Sequence, residues 1–343
     1  MLPAQSMTDT ACVTHGVSEI VLVAPDSFKG TFTAPQVAGA IGEGLNDGGR
    51  TVDLCPLADG GEGTATTLHG ALGGEVRTAA VHDPLGRAIE ATYVLHGDHA
   101  YLDTAAASGL HLIGEAQRDA WAASSIGTGE LIAAAVGAGA RAVHLGVGGS
   151  ATSDGGAGAL QALNDAGGPG DARLIVLCDV RTVYEDAARV FGPQKGASPR
   201  DVRRLTARLH ELADQWARAG RDPRGRVMTG AAGGLSGALW AQYDAELVPG
   251  AAFVLDAVGF DARMRAARCV ITGEGRLDES SLIGKLISEV ATRARQAGVP
   301  CDAVCGTRAL DGMGARVLDL ERILEASTLA ELRAAGRELA AVI

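Results

Sequence analysis

Three lysines in a chain of 343 residues each touch a glycine: Phe28-Lys29-Gly30, Gln194-Lys195-Gly196 and Gly284-Lys285-Leu286. The other 27 of its 30 basic residues are arginine. The few lysines therefore mark places suited to a compact ammonium on a flexible stem, which a planar guanidinium cannot imitate. Glycine beside them lets loop backbone approach a ligand closely. Together they point to anion handling, with phosphate the leading ligand. Carboxylates recur in similar settings: Asp26-Ser27-Phe28-Lys29, Asp59-Gly60-Gly61-Glu62 and Gly273-Glu274-Gly275-Arg276-Leu277-Asp278 each follow an apolar run. A cation and Mg²⁺ to take up charge, and a carboxylate to accept a hydroxyl proton, are the working parts of phosphoryl transfer.

The glycine-rich stretch 146–156, with Gly148, Gly149, Ser150, Thr152, Ser153 and Asp154, is the richest anion-site candidate. It is expected to leave a strand and enter a helix, so free N–H groups and the positive helix end converge. Asp154 could hold a metal there, although capping the helix is the commoner task for such an aspartate. Gly127-Thr128-Gly129-Glu130 opens another helix with Thr128 as its expected cap. Gly146-x-Gly148-x-x-Ala151 matches a loose dinucleotide fingerprint, but no acidic ribose partner ends the next strand at the required distance. Gly284-Lys285 is followed by Leu286 where a phosphate-binding loop of the Walker type needs Ser or Thr, which excludes that motif. The eight histidines show no ligand spacing.

These segments need elements to position them. Residues 20–24 read as a buried strand, followed by a helix with Thr33 as N-cap and Pro35 in its first turn. Residues 51–57 form a second strand before the Asp59 loop. Two strand-loop-helix units in a row predict a parallel α/β sheet. Short strands at 75–82, 88–95 and 99–103 follow without helices between them, which predicts an antiparallel insertion. Helix 128–137, strands 142–147 and 174–178 and an arginine-rich amphipathic helix at 199–219 come next. Strand 269–272, a helix around 286–297 and strand 301–305 restore the alternating pattern. Open sheets bind ligands at their strands' carboxyl ends, so the three acidic loops are expected on one edge. The simplest topology is a Rossmann-like parallel sheet domain built from both chain ends, residues 18–76 and 250–343. An α/β middle domain with a mixed sheet, residues 77–249, is inserted between them, and residues 1–17 form a loose extension.

Composition restricts the partners. Hydrophobic residues make up 47% of the chain but aromatics only 3%, so the core is aliphatic. The net charge of −11 argues against nucleic acid or an anionic membrane. Six cysteines without a CxxC pair point to a reducing, cytoplasmic setting. No apolar run reaches the ~18 residues a membrane span requires, and residues 1–17 lack the pattern of a signal peptide.

Several strings, in order, resemble the bacterial glycerate kinase family. They are Ala24-Pro-Asp-Ser-Phe-Lys-Gly30, Pro56-Leu-Ala-Asp-Gly-Gly-Glu-Gly-Thr64, Asp83-Pro-Leu-Gly-Arg87 and Ser124-Ser-Ile-Gly-Thr-Gly-Glu-Leu-Ile132. Gly148-Gly-Ser-Ala-Thr152, Cys178-Asp-Val180, Phe191-Gly-Pro-Gln-Lys-Gly196, Gly230-Ala-Ala-Gly-Gly234 and Thr272-Gly-Glu-Gly-Arg276 continue them. The resemblance spans about residues 20–310. It implies ATP-dependent phosphorylation of D-glycerate, usually at the 2-hydroxyl, with Mg²⁺, in a cleft between two α/β domains. It further implies catalytic roles for Lys29, Asp59, Asp179 and Lys195, and a metal role for Glu274 and Asp278. Substrate or phosphate contacts would come from Ser27, Arg87, Thr128, Gly148, Gly149, Ser150, Thr152, Gly233, Gly234 and Lys285. Departures sit beside these motifs. Arg181-Thr182 replaces the usual Asn-Pro, Asp103-Thr104 a Glu-Met pair, Ser280-Ser281 a Gln-Thr, Ile287 a Pro and Arg268 a common Asp. They leave open a related kinase of another small hydroxy acid or a glycerate-binding paralogue without activity. The oligomeric state is likewise open, a homodimer included.

Overall fold

Strand β1 (Ile20–Pro25) is the centre of the first sheet, and its residues Val21 to Ala24 are fully buried. Alternate side chains of a strand face opposite ways, and here both faces are covered. Val21 and Val23 pack on helices Ala34–Asp47 and Leu329–Ala340, through Val37, Ile41, Leu332 and Leu339. Leu22 and Ala24 face the other way, into the layer described below. The first helix starts as expected: Thr33 and Gln36 form a reciprocal capping box, with Pro35 in the first turn. The structure is a computed structural model describing residues 19–282 and 285–343, so the expectations for residues 1–17, Cys12 and Gly284 lie outside the described residues.

The remaining strands are β2 (Thr51–Leu54), β3 (Glu75–His82), β4 (Ala88–His96), β5 (His99–Asp103), β6 (Ala142–Gly146), β7 (Arg173–Cys178), β8 (Glu246–Pro249), β9 (Cys269–Leu277), β10 (Cys301–Arg308) and β11 (Ile323–Glu325). The first sheet runs β11-β10-β9-β1-β2, all parallel. Counted along the chain this is the 2-1-3-4-5 order, whose topological switch lies between β1 and β9. A crevice therefore opens where β1 and β9 end. The second sheet runs β3-β4-β5-β6-β7-β8; its first three strands are antiparallel and the rest parallel. The β3–β4 turn is set by Asp83, whose carboxylate accepts the N–H groups of Leu85 and Arg87.

Helices Thr64–Leu72 and Gly250–Ala257 lie between the sheets. Their Leu68, Val254 and Leu255 join Leu22, Ala24 and Val270 of the first sheet to Val94 and Tyr101 of the second in one apolar cluster. The second sheet's other face packs Leu102, Leu145 and Val176 against Leu131, Leu163 and Leu239. With so few aromatics, Tyr184 and Phe260 are the largest fully buried side chains, and leucine and isoleucine fill most of the rest.

Two strand expectations shift. The β2 ladder stops at Leu54, yet the Cys55 and Leu57 amides still donate to the carbonyls of Val23 and Pro25, so the chain stays extended up to the Asp59 loop. The stretch 273–277, expected as a loop, belongs to β9, and Glu274 and Arg276 pair with Cys305 and Thr307 of β10. Glycine makes this continuation possible: a β-carbon on Gly273 would lie 2.3 Å from the Val304 carbonyl oxygen. The two strands run past the end of β1 and wall the crevice on one side.

Candidate active site

The Asp26–Gly30 segment leaves β1 and turns back at once. Phe28 N–H bonds to the Phe32 carbonyl and Thr31 N–H to the Phe28 carbonyl, with Gly30 at φ +79°. Buried Phe28 anchors the turn under Gly275 and Gly306. Lys29 is thereby aimed across the crevice, where its ammonium meets the Asp59 carboxylate at 2.7 Å. Asp59 Oδ2 takes that bond and Oδ1 accepts the Gly61 N–H at 2.9 Å.

One cavity of about 330 Å³ is lined by Asp26, Ser27, Lys29, Asp59, Glu274, Arg276 and Lys285, with Gly306, Thr307 and Ser327 on its far wall. A second, of about 310 Å³, shares Asp26, Ser27 and Lys29 but is otherwise bounded mostly by Phe32, Pro35, Leu57, Thr66 and Thr67, with Glu62 at its edge. The two meet at Lys29. Lys285 lies 3.6 Å from Glu274 Oε2, while Glu274 Oε1 is buried without a hydrogen-bond partner among the described residues.

The second sheet supplies the opposite wall. Gly148 crosses Gly61 so closely that a β-carbon on Gly148 would lie 2.5 Å from Gly61 Cα. Asp179, after β7, reaches the same place: its Oδ2 is 3.7 Å from where a Gly61 β-carbon would stand. The loop carrying Asp59 is thus clamped between sheets, with Val147 N–H bonded to the Gly60 carbonyl. Asp103 of β5 accepts the Gly63 and Ala65 N–H groups and caps helix Thr64–Leu72 from across the interface.

Charges crowd here. Burial and the neighbouring Asp59 push Asp26 up to about 8, against the pull of Lys29. Burial and Asp59 likewise push Asp179 up to about 6. Burial also acts on Asp59, but the Lys29 ammonium and the Gly61 N–H outweigh it and hold the group below the ordinary carboxylate range. Burial disfavours the Lys29 charge, yet Asp59, Asp26 and Asp179 together hold its affinity for the proton above normal. Glu274 is raised by burial.

Lys195 stands behind the facing loop rather than in either cavity. It is 3% exposed, and its ammonium donates to Ser150 Oγ at 3.0 Å and the Thr152 carbonyl at 2.6 Å. Burial lowers it to about 8, with Asp154 and Asp179 opposing. The hydroxyls of Thr152 and Ser153 are buried and have no partner among the described residues.

Other expected contacts are placed elsewhere. Thr128 does not cap its helix: Ile126–Gly137 begins two residues earlier, and the buried Thr128 hydroxyl bonds Ser108. Asp154 takes the capping alternative. It accepts the Ser125 N–H and hydroxyl and the Gly156 and Gly158 N–H groups, so the amides at that helix start are already occupied. Arg87 pairs with Asp83 and bonds the Leu112 carbonyl. Gly233 and Gly234 serve close packing, since a β-carbon on Gly233 would stand 2.1 Å from the Thr152 carbonyl oxygen. The Asp278 carboxylate is engaged by Ser280 and Arg276. None of these six lines either cavity described above. Conversely, Thr307 and Ser327 enter the first cavity from beyond β9 with no sequence signal, whereas Asp26 stood in plain view within the Asp26-Ser27-Phe28-Lys29 string.

Comparison with known proteins covers nearly the whole chain. A model of the glycerate kinase family matches residues 21–166 and 168–337. A glycerate kinase of Halalkalibacterium halodurans is 39% identical over 84% of this chain and 85% of its own length. A glycerate 2-kinase of Escherichia coli K12 is 36% identical over 84% and 85%. A crystal structure from Salmonella typhimurium LT2, of a chain provisionally named glycerate kinase 2, superposes with a TM-score of 0.78 at 34% identity. It covers 95% of this chain and 98% of that one.

Proposed function

The chain is a kinase and belongs to the glycerate kinase family, and on that premise we propose that it transfers the γ-phosphoryl group of ATP to the 2-hydroxyl of D-glycerate. One observation carries the reading from family to chemistry: Lys29, Arg276 and Lys285 line the same cavity as Asp26, Asp59 and Glu274. Cations beside a buried acidic group suit a reaction whose main demand is placing and neutralising phosphate.

Lys29 and Lys285 would neutralise the transferring phosphate, with Ser27 adding a donor at the shared end of the two cavities. Asp59 would hold Lys29 in position, since both its oxygens are already engaged. The 148–150 backbone, with Ser150 fixed by Lys195, would receive the acceptor's carboxylate from the second sheet. Asp179 would face the acceptor from that same wall.

Among the described residues no group of three or more His, Cys, Asp or Glu side chains is placed to hold a metal. Mg²⁺ asks for less, because it commonly takes one or two carboxylates and completes its shell with phosphate oxygens and water. Glu274, which lines the cavity, fits that demand through Oε1, which has no partner among the described residues. Asp278 fits less well, having its oxygens on Ser280 and Arg276. Bound there, the ion would neutralise charge on the β- and γ-phosphate oxygens.

We also take the two sheets as two domains, residues 18–76 with 250–343 and residues 77–249, working in the cytoplasm without nucleic acid or membrane. Among the described residues no helix is long and apolar enough to cross a membrane. ADP release by purified protein, measured with and without D-glycerate, tests the activity, and ³¹P NMR of the product assigns the hydroxyl. Absence of glycerate-dependent ADP release rejects the reading. A second reading, a kinase of another small hydroxy acid, draws on Arg181. It stands exposed two residues after Asp179, its carbonyl accepting the Met228 N–H. A panel of hydroxy acids separates the two, and melting shifts with ligand but no turnover would indicate a binding protein.

A further inference from the structure

Resting on the kinase reading above, we propose that Asp26 is the group that takes the proton from the acceptor hydroxyl as the phosphoryl group arrives. Three carboxylates surround Lys29, and their surroundings separate them. Asp59 has Oδ2 on the Lys29 ammonium and Oδ1 on the Gly61 N–H, so both oxygens already hold a donor and its charge is committed to Lys29. Asp179 belongs to the opposite wall and lines neither cavity. Asp26 lines both, at the junction beside Lys29.

The backbone of Asp26 is also tied down. It follows the central strand directly, and its N–H is bonded to the Gly273 carbonyl of β9 at 2.8 Å. That bond fixes it in the crevice at the topological switch. The residue is only 7% exposed. Among the described residues its one donor is the Ser27 N–H, on Oδ1 at 2.6 Å, which leaves Oδ2 available. Burial beside Asp59 strengthens its hold on a proton relative to a solvated carboxylate, and Lys29 next to it keeps an ionised state accessible. A general base works best when its proton affinity lies near the operating pH.

The step balances without a further reagent. The hydroxyl oxygen of the acceptor forms a bond to the γ-phosphorus of ATP, and the bond from that phosphorus to the β–γ bridging oxygen breaks. The hydroxyl proton passes to Asp26 Oδ2, and ADP leaves with the bridging oxygen.

The test compares wild type, Asp26→Asn, Asp26→Ala and Asp179→Asn in the ADP-release assay with D-glycerate. Asp26→Asn keeps the size of the side chain and an acceptor for the Ser27 N–H. It is expected to lower kcat about 10²- to 10⁴-fold, with KM for ATP and the half-saturating Mg²⁺ concentration within about threefold of wild type. In Asp26→Ala, added formate is expected to restore part of kcat, a response that a structural role does not produce. Asp26→Asn with more than a tenth of wild-type kcat overturns the assignment. So does a loss matched by a large rise in the Mg²⁺ requirement, which would make Asp26 a metal ligand. Folded Asp26→Ala without formate rescue also overturns it, as does a kcat collapse confined to Asp179→Asn. An active wild type beside an active Asp26→Asn sinks this inference alone. A wild type with no glycerate-dependent ADP release sinks the reading beneath it.

Discussion

The Lys29 ammonium and the Asp59 carboxylate meet at 2.7 Å although their loops are 30 residues apart, and the two ends of the pair differ sharply in exposure. The Asp59 side chain is 7% exposed and that of Lys29 57%. The buried partner is fixed by Gly61, so the pair works as a bracket: Asp59 takes one N–H of the Lys29 ammonium, and Lys29 offers its remaining N–H donors to the cavity. Lys29→Met is expected to lower kcat/KM about 10²- to 10³-fold, the usual loss when one charge-stabilising donor is removed. Asp59→Asn should lose less. The double variant should be little worse than Lys29→Met, because groups acting as one unit are not additive. Steady-state kinetics of the four proteins checks this, and additive losses would contradict the bracket.

Gly148 is one of the points where the loops of the two sheets cross closely at the site. A methyl group there would press on Gly61 Cα, at 2.5 Å, which is backbone and cannot swing aside. Gly148→Ala should therefore cost about 1–3 kcal/mol of stability and lower kcat by at least tenfold by displacing the Asp59 loop. Thermal melting and kinetics measured together decide it. A variant as stable and as active as wild type would mean the two loops separate easily.

Lys195 is predicted to position the facing loop rather than touch phosphate. Lys195→Met should leave Ser150 Oγ and the Thr152 carbonyl without their donor and raise KM for the acceptor more than KM for ATP. A pH effect follows as well. Burial lowers the Lys195 amine to about 8 from an ordinary 10.5, so the folded protein binds fewer protons than the unfolded chain between those values. Wild-type stability should gain from this group as pH rises from about 8 to about 10.5. Lys195→Met should lack that increment, which melting temperatures across the alkaline range will show.

Asp26 carries the opposite sign. Its folded value of about 8 lies above the ordinary 3.8, so the folded protein binds the extra proton and stability falls as pH climbs through that window. Asp26→Asn should melt a few degrees higher than wild type at pH 8, and the gain should shrink toward pH 4. A residue that weakens the fold where it ionises is in keeping with the stability costs tolerated at catalytic positions. An Asp26→Asn protein that melts lower than wild type at pH 8 would argue against a destabilising ionised Asp26.

Much of the architecture is written locally. The continuous apolar run of residues 20–24, the Thr33-Ala34-Pro35-Gln36 cap and the three helix-free strands at 75–103 are short-range signals. The parallel first sheet and the mixed second sheet follow from them. The residue types of the site were equally legible, because glycine beside lysine or aspartate is unusual enough to stand out in one dimension. Chain order set the three acidic loops on one edge, but it could not say which of the other candidates share that cavity. Gly273 to Leu277 looked like a loop, but cross-strand pairing with β10 made it part of β9. Thr128 and Asp154 were helix-opening residues of comparable promise, and only packing revealed that Asp154 caps from within and that Thr128 turns to Ser108. Lys29, Lys195 and Lys285 looked alike along the chain, yet burial put Lys195 behind the wall and the others at the cavity. Secondary structure and residue chemistry arise from neighbours a few positions apart. Burial, pairing and proton affinity depend on groups tens to hundreds of positions away, and only the folded chain brings those together.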